Sequence, residues 1–160
     1  MTWQNPTATK RLEILRRTRT VAMLGASPNP SRASNFVATY LLSTSDYELF
    51  LVNPNVTEIL GRPVYKSLAD LPVVPDLVDV FRRKSDLPAV LDEVLALPPG
   101  VQTFWTQFGL LDEDVARRAE AAGLDVVMDR CLKVEHARFH GGLHLAGFDT
   151  GVISSRRRAG

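Results

Sequence analysis

The sequence predicts an α/β fold in which a doubly wound parallel sheet is covered by helices on both faces. Short apolar runs alternate with helix-like segments along most of the 160 residues, as expected for parallel strands joined by right-handed crossovers. Hydrophobic residues make up 45% of the chain, which is enough for one domain core at this length. We therefore expect a single domain over residues 1–160, with its core at about residues 12–139 and flexible terminal tails.

The elements follow from local patterns. Apolar runs at residues 20–24, 48–52, 77–81, 102–106 and 124–128 predict five strands. Amphipathic segments at residues 7–17, 35–42, 86–97 and 112–122 predict helices. Ser85 is the expected N-cap of the third helix, and Gly123 is expected to end the fourth. The segment 60–71 contains Gly61 and Pro63 and predicts only a short helical stretch at residues 67–71.

Parallel sheets of this kind bind ligands beyond the carboxyl ends of their strands, at the topological switch point. The residues that follow the five predicted strands are therefore the candidates for a site. They are residues 25–27, 53–54, 81–82, 107–109 and 129–131. We expect them to lie along one edge of the sheet.

The turn after the first strand has the composition of a phosphate site. Gly25 allows close backbone approach, and the helix that follows offers free N–H groups and the positive end of its dipole to an anion. Ser27 or Ser31 supplies hydroxyl donors, and Arg32 supplies a guanidinium suited to phosphate oxygens. The alternative is an ordinary strand–helix turn followed by a surface arginine.

The residues that follow the first two predicted strands argue against an NAD site. The window 25–30 holds one glycine in place of the three of a dinucleotide fingerprint. Neutral Asn53 stands where an acid would bind a free ribose hydroxyl. A neutral amide beside a basic residue suits a phosphorylated ribose, which is found in both NADP and coenzyme A, and the pattern does not choose between them.

Bulk properties exclude other classes of function. The formal net charge of +1 gives no chain-wide positive field for a nucleic-acid partner. The sequence shows neither a signal-peptide pattern nor an apolar run of membrane-spanning length, so a cytoplasmic protein without membrane association is expected. The single cysteine, Cys131, rules out an intrachain disulfide.

Four segments together resemble the small CoA-binding proteins of bacteria, which are similar to the CoA-binding domain of the succinyl-CoA synthetase alpha subunit. These segments are Val21-Ala22-Met23-Leu24-Gly25-Ala26-Ser27 with its proline-containing loop and Arg32, Leu51-Val52-Asn53-Pro54, Val78-Asp79-Val80-Phe81-Arg82, and Asp129-Arg130-Cys131-Leu132-Lys133-Val134-Glu135-His136. The resemblance covers roughly residues 12–139. It implies a Rossmann-like fold with a five-stranded sheet in the order 3-2-1-4-5, arranged in three α/β/α layers, and coenzyme A or an acyl-CoA as the ligand.

The resemblance also implies roles for individual residues. Phosphate and adenine-ribose contacts fall on Gly25, Ala26, Ser27, Pro28 and Arg32. Asn53 and Pro54 would border the adenosine, and Phe81 and Arg82 would flank the nucleotide. Cys131 follows the fifth predicted strand on the ligand edge, where its thiol would lie near the reactive end of CoA and could form a mixed disulfide with it. The alternatives are a surface charge for Arg82, core packing for Phe81 and a small buried apolar group for Cys131.

The expected function is therefore CoA binding without catalysis by this chain alone. Other readings stay open: an NADP-dependent oxidoreductase, a subunit of a split acyl-CoA synthetase, or a protein–protein interaction module that has lost the ligand. Histidines at 136, 140 and 144 could suggest a metal site, but Gly141 and Gly142 argue against the continuous helix that it would need. A protein partner or self-association is left open by the sequence.

Overall fold

The computed structural model describes residues 2–139. The chain divides into two compact units, Met1–Arg130 and Cys131–Gly160, which are described separately. In the second unit the described element is a helix, α5 (Leu132–Ala137), with Cys131 as its N-cap. His140 and His144 lie outside the described residues.

The first unit contains a seven-stranded sheet and four α-helices. The strands are β1 (Thr20–Leu24), β2 (Glu48–Val52), β3 (Glu58–Ile59), β4 (Arg62–Tyr65), β5 (Leu77–Val80), β6 (Thr103–Thr106) and β7 (Asp125–Val127). The helices are α1 (Ala8–Arg17), α2 (Ala33–Thr44), α3 (Leu87–Leu95) and α4 (Glu113–Ala121). The strand order is β3-β4-β2-β1-β5-β6-β7, and every neighbouring pair is parallel except β3–β4.

The predicted class, a three-layer α/β fold with a mostly parallel sheet, is confirmed, but the predicted strand count and order are wrong. The error lies in segment 58–65, where Leu60 and Gly61, with φ of 52° and 73°, turn the chain between β3 and β4. Pro63 is tolerated because this antiparallel pair lies at the sheet edge. Because β4 was not predicted, residues 77–80 were counted as the third parallel strand, which the predicted order places beside β2. In the structure they form the fourth parallel strand, β5, which pairs with β1 on the side away from β2.

Both faces of the sheet are covered. Ala22, Val78 and Phe104 belong to one buried cluster that includes side chains of α3 and α4. Successive residues of a strand point to opposite faces, so Met23 faces the other side, and α1 and α2 bury Ile14 and Leu41.

The helix ends are partly as predicted. Asp112 caps α4 by accepting a hydrogen bond from the Val115 N–H at 3.1 Å, and Gly123 follows the helix with φ of 96°. The predicted N-cap of α3, Ser85, is wrong, because a 3-10 turn at Lys84–Asp86 makes Asp86 the N-cap. Among the described residues, no helix is long and apolar enough to cross a membrane.

Candidate functional site

A cleft of about 600 Å³ lies where β1, β2, β5 and β6 end. It brings together seven residues that the sequence placed in the site: Gly25, Ala26, Ser27, Arg32, Asn53, Phe81 and Arg82. Pro28 and Pro54 are exposed and do not line it. Cys131 belongs to the second unit, so its role at the ligand edge stays a prediction.

Gly25 is fixed by the ends of the neighbouring strands. Its N–H and that of Ala26 both donate to the Val52 carbonyl, each at 3.1 Å. Its φ is 92°, and a Cβ at this position would stand 2.1 Å from the carbonyl oxygen of Phe81. The sequence explained this glycine by the approach of a ligand, whereas in the structure the chain itself already requires it.

Short polar side chains set the shape of the loop between β1 and α2. Ser27 Oγ accepts a hydrogen bond from the Asn29 N–H at 3.1 Å. Asn29 Oδ1 accepts from the N–H of Ser31 at 2.9 Å and from its hydroxyl at 2.8 Å. Asn35 Nδ2 donates to the Ser27 carbonyl at 3.0 Å and so ties α2 back to the loop. The hydroxyl of Ser31 is therefore used within the loop, while Ser27 lines the cleft.

The N-terminus of α2 opens into the cleft. Its N-cap, Arg32, makes no side-chain capping hydrogen bond, and the backbone N–H groups of Ala33 and Ser34 have no acceptor among the described residues. The Arg32 guanidinium is also without a hydrogen bond or ion pair within residues 2–139. Two unpaired N–H groups, a helix dipole and a free cation therefore converge on one end of the cleft.

The residues that follow β5 bring further charge to the cleft. Arg82 Nε and Arg83 Nε lie 3.5 Å and 3.6 Å from Asp86 Oδ2, and Asp86 is the N-cap of α3. Three arginines and one carboxylate thus line the cleft, which gives it an excess of positive charge. Such a lining favours an anionic ligand.

Asn53 holds the end of β2 to the β1–α2 loop. Its Nδ2 donates to the Ala26 carbonyl at 2.7 Å, and its Oδ1 accepts from the Asn55 N–H at 2.7 Å. Half-buried Phe81 is anchored by its own N–H, which donates to the Leu24 carbonyl at 2.8 Å. Both residues therefore fix the framework of the cleft that they line.

Sequence reasoning left several lining residues unassigned. Gln107 and Gly109 were placed at the sheet edge but given no site role, as was Phe108 between them, whose side chain is 72% exposed. Ser34, Arg83 and Asp86 were not considered as lining residues. The signal for Arg83 and Asp86 was present, because both closely follow the strand that ends at Val80.

The family model described as a CoA binding domain matches residues 19–137. The chain is 38% identical over 134 residues to the uncharacterized protein YneT of Bacillus subtilis (strain 168), covering 84% of this chain and 97% of that protein. A solved structure of a hypothetical protein from Pyrococcus horikoshii OT3 is similar, with a TM-score of 0.78 and 33% identity, and the match covers 88% of this chain and 100% of that one.

A more distant similarity reaches a large enzyme. The chain is 26% identical over 122 residues to the ADP-forming acetate–CoA ligase I of Archaeoglobus fulgidus, covering 71% of this chain but 18% of that protein. The family model spans the cleft and the whole parallel sheet. The chain therefore belongs to the CoA binding domain family.

Proposed function

We propose that this chain binds coenzyme A or an acyl-CoA through its nucleotide portion, in the cleft at the ends of β1, β2, β5 and β6. The observation that carries the proposal is the N-terminus of α2, where the N–H groups of Ala33 and Ser34 and the guanidinium of Arg32 have no partner within residues 2–139. Backbone N–H groups at a helix N-terminus suit a pyrophosphate, and a guanidinium fork suits phosphate oxygens. Membership of the CoA binding domain family supports CoA among the anionic nucleotides.

The remaining residues indicate how the ligand would be oriented in the cleft. In folds of this type the ribose lies near the end of the second strand, and the pyrophosphate lies at the helix N-terminus. The adenosine would then border Asn53, with Pro54 next in the chain, while Phe81 and Arg82 would flank the nucleotide from β5. Gly25, Ala26, Ser27 and Pro28 would form the loop around the phosphates.

The test is a calorimetric titration with CoA, NADP, NAD and ATP. We expect CoA to bind most tightly, and Arg32→Ala to weaken CoA binding by about 1.5–3 kcal/mol, the value of a charge-assisted hydrogen bond. Arg16→Ala is the matched control, since it removes another exposed positive charge, from α1 and outside the cleft. It should leave CoA affinity unchanged.

Other outcomes would contradict the proposal. Tighter binding of NADP than of CoA would favour an oxidoreductase, and no binding of any of the four would favour an interaction module. If the unaltered protein and Arg32→Ala bind CoA with equal affinity, Arg32 does not contribute to the site.

A second candidate, a part in an acyl-CoA ligase, is favoured by the similarity to the acetate–CoA ligase. The matched segment makes up 18% of that enzyme, so most of the ligase has no counterpart in the match. We therefore propose binding without catalysis for this chain alone. ADP formation from acetate, CoA and ATP by the purified chain, abolished by Arg32→Ala, would contradict this and establish the second candidate.

A further inference from the structure

We propose that Asp86 is a specificity-determining residue of the cleft, because its carboxylate pairs with Arg82 and Arg83 and so directs the ligand's phosphates to the α2 end. This inference rests on the proposed function and extends it from the groups that the cleft contains to those that an anion can use. It is carried by the unequal pairing of the arginines, by the burial of Asp86 and by the packing of Arg82.

The arginines that line the cleft differ in what they contact. Arg32, the N-cap of α2, has no ion pair within residues 2–139. Arg82 and Arg83 lie beside the same carboxylate, with their Nε atoms 3.5 Å and 3.6 Å from Asp86 Oδ2. Because one negative charge is shared between two positive ones, the side of the cleft that follows β5 attracts a phosphate less strongly than two unpaired arginines would.

The burial of Asp86 makes its charge effective. Its side chain is 23% exposed, whereas those of Arg82 and Arg83 are 37% and 84% exposed. Water and salt screen exposed charges, but a mostly buried carboxylate is screened less. Asp86 is the N-cap of α3, yet its side chain makes no capping hydrogen bond. Within residues 2–139 the polar contacts of this carboxylate are the two ion pairs, so its role is electrostatic.

Packing holds Arg82 near the turn that follows β1, in addition to its ion pair. A Cβ on Gly25 would stand 3.2 Å from Arg82 Cδ, so the aliphatic stem of this arginine lies against the turn. An arginine stem packs independently of the charged group that it carries. Neutralising Asp86 would therefore leave Arg82 in place and make its guanidinium available to an anion.

The unequal pairing indicates which part of the ligand each side of the cleft suits. The N-terminus of α2, with unpaired Arg32, suits a pyrophosphate. Arg82 is paired with Asp86 through its Nε edge, which leaves the planar face of the guanidinium for stacking on an uncharged ring. Asp86 would therefore keep phosphate away from the side after β5 and leave that side to the base or another uncharged group.

The experiment measures the binding of inorganic pyrophosphate and of CoA to the full chain by calorimetry. Asp86→Asn removes the charge and keeps the size of the side chain, and asparagine is an equally good N-cap. We expect this variant to bind pyrophosphate about tenfold more tightly, with a steeper loss of affinity as salt is added. Asp86→Glu keeps the charge and should bind pyrophosphate like the unaltered protein. Asp92→Asn is the matched control, because it removes an aspartate that is paired with Arg118 from the same helix, outside the cleft.

A double variant distinguishes the electrostatic role of Asp86 from a structural one. Arg32→Ala should weaken pyrophosphate binding, because it removes the unpaired cation at the α2 end. Adding Asp86→Asn to Arg32→Ala should restore pyrophosphate affinity, since Arg82 and Arg83 would then be free to supply the positive charge. A residue with only a structural role would not restore binding that another substitution had removed.

The outcomes separate this inference from the proposed function. If the unaltered protein does not bind CoA, both are overturned. If it binds CoA and Asp86→Asn does not bind pyrophosphate more tightly, or if Asp92→Asn gains as much, the assignment of Asp86 alone is overturned. Failure of Asp86→Asn to restore pyrophosphate binding to Arg32→Ala would also overturn it, because the unpaired arginines would then not attract a phosphate.

Discussion

Replacing Gly25 with alanine tests how the cleft is built. The added Cβ would stand 2.1 Å from the Phe81 carbonyl oxygen, 2.9 Å from its carbon and 3.2 Å from Arg82 Cδ. Relief by moving Phe81 is opposed by its hydrogen bond to Leu24 at 2.8 Å, and Gly25 itself is bonded to Val52 at 3.1 Å. The collision therefore involves the ends of three adjacent strands.

The loss of stability has two parts. A left-handed φ of 92° costs an L-residue about 1–2 kcal/mol. Overpacking against backbone that cannot move freely adds about 1–3 kcal/mol. We expect Gly25→Ala to lower the free energy of unfolding by roughly 2–5 kcal/mol, which is a large part of the 5–15 kcal/mol typical of a domain.

The measurement is urea unfolding followed by fluorescence of the fully buried Trp105. Gly123→Ala is the matched control, because Gly123 has φ of 96° and, apart from its chain neighbours, no described residue has an atom within 4 Å of its would-be Cβ. It should lose only the conformational part, about 1–2 kcal/mol. Equal losses for the two variants would refute the reasoning, since the collision with Phe81 would then contribute nothing.

Two further predictions concern stability. Burial raises the pKa of Asp79 well above its ordinary value, and its carboxyl oxygens have no hydrogen-bond partner among the described residues. The folded state therefore retains a proton that the unfolded state releases near pH 4, so stability should fall as pH rises from there through the folded pKa. Asp79→Asn should flatten this dependence in urea unfolding across pH, and an unchanged slope would contradict it. Asn5→Ala should lower the free energy of unfolding by about 1–3 kcal/mol, because the Asn5 amide bonds the backbone N–H and carbonyl of Met128 at 2.9 Å and 2.8 Å. The exposed Asn55, whose side chain makes no hydrogen bond to another described residue, is the control, and a similar loss on Asn55→Ala would show that the bonds to Met128 are not the cause.

The sequence predicted which residues meet at the carboxyl ends of the strands more accurately than it predicted the number and order of the strands. Residues that follow parallel strands must meet at one edge whatever the strand order, so placing 25–27, 53, 81–82 and 107–109 together needed only the strand ends. Strand order depends on pairing between segments distant in the chain. β4 was omitted because its segment, Arg-Pro-Val-Tyr, contains a proline and is only four residues long. This omission placed residues 77–80 on the wrong side of β1.

The position of Phe108 in the cleft lining and the hydrogen bond between Gly109 and Asp129 could not be predicted from the sequence, for a different reason. Asp129 supports the β6–α4 loop only because it adopts φ of 59° and reaches Gly109, which is 20 residues away in the chain. No local sequence pattern predicts such a pairing. Aspartate tolerates a positive φ, but its presence at a position does not indicate that φ is positive there. An exposed phenylalanine becomes informative only when the structure shows that it lines a concave surface.

Asn53 shows that one sequence argument about the ligand rested on a residue that the fold itself already explains. The neutral amide was taken as evidence against a free ribose hydroxyl, yet its Nδ2 donates to the Ala26 carbonyl at 2.7 Å. A carboxylate there would face that carbonyl without a proton to donate, so the fold itself disfavours an acid at this position whatever the ligand. The case for a phosphorylated ligand therefore passes to groups that the fold leaves unpaired. The Arg32 guanidinium and the N–H groups of Ala33 and Ser34 have no structural partner among the described residues, and an anion is the ligand that would satisfy all three.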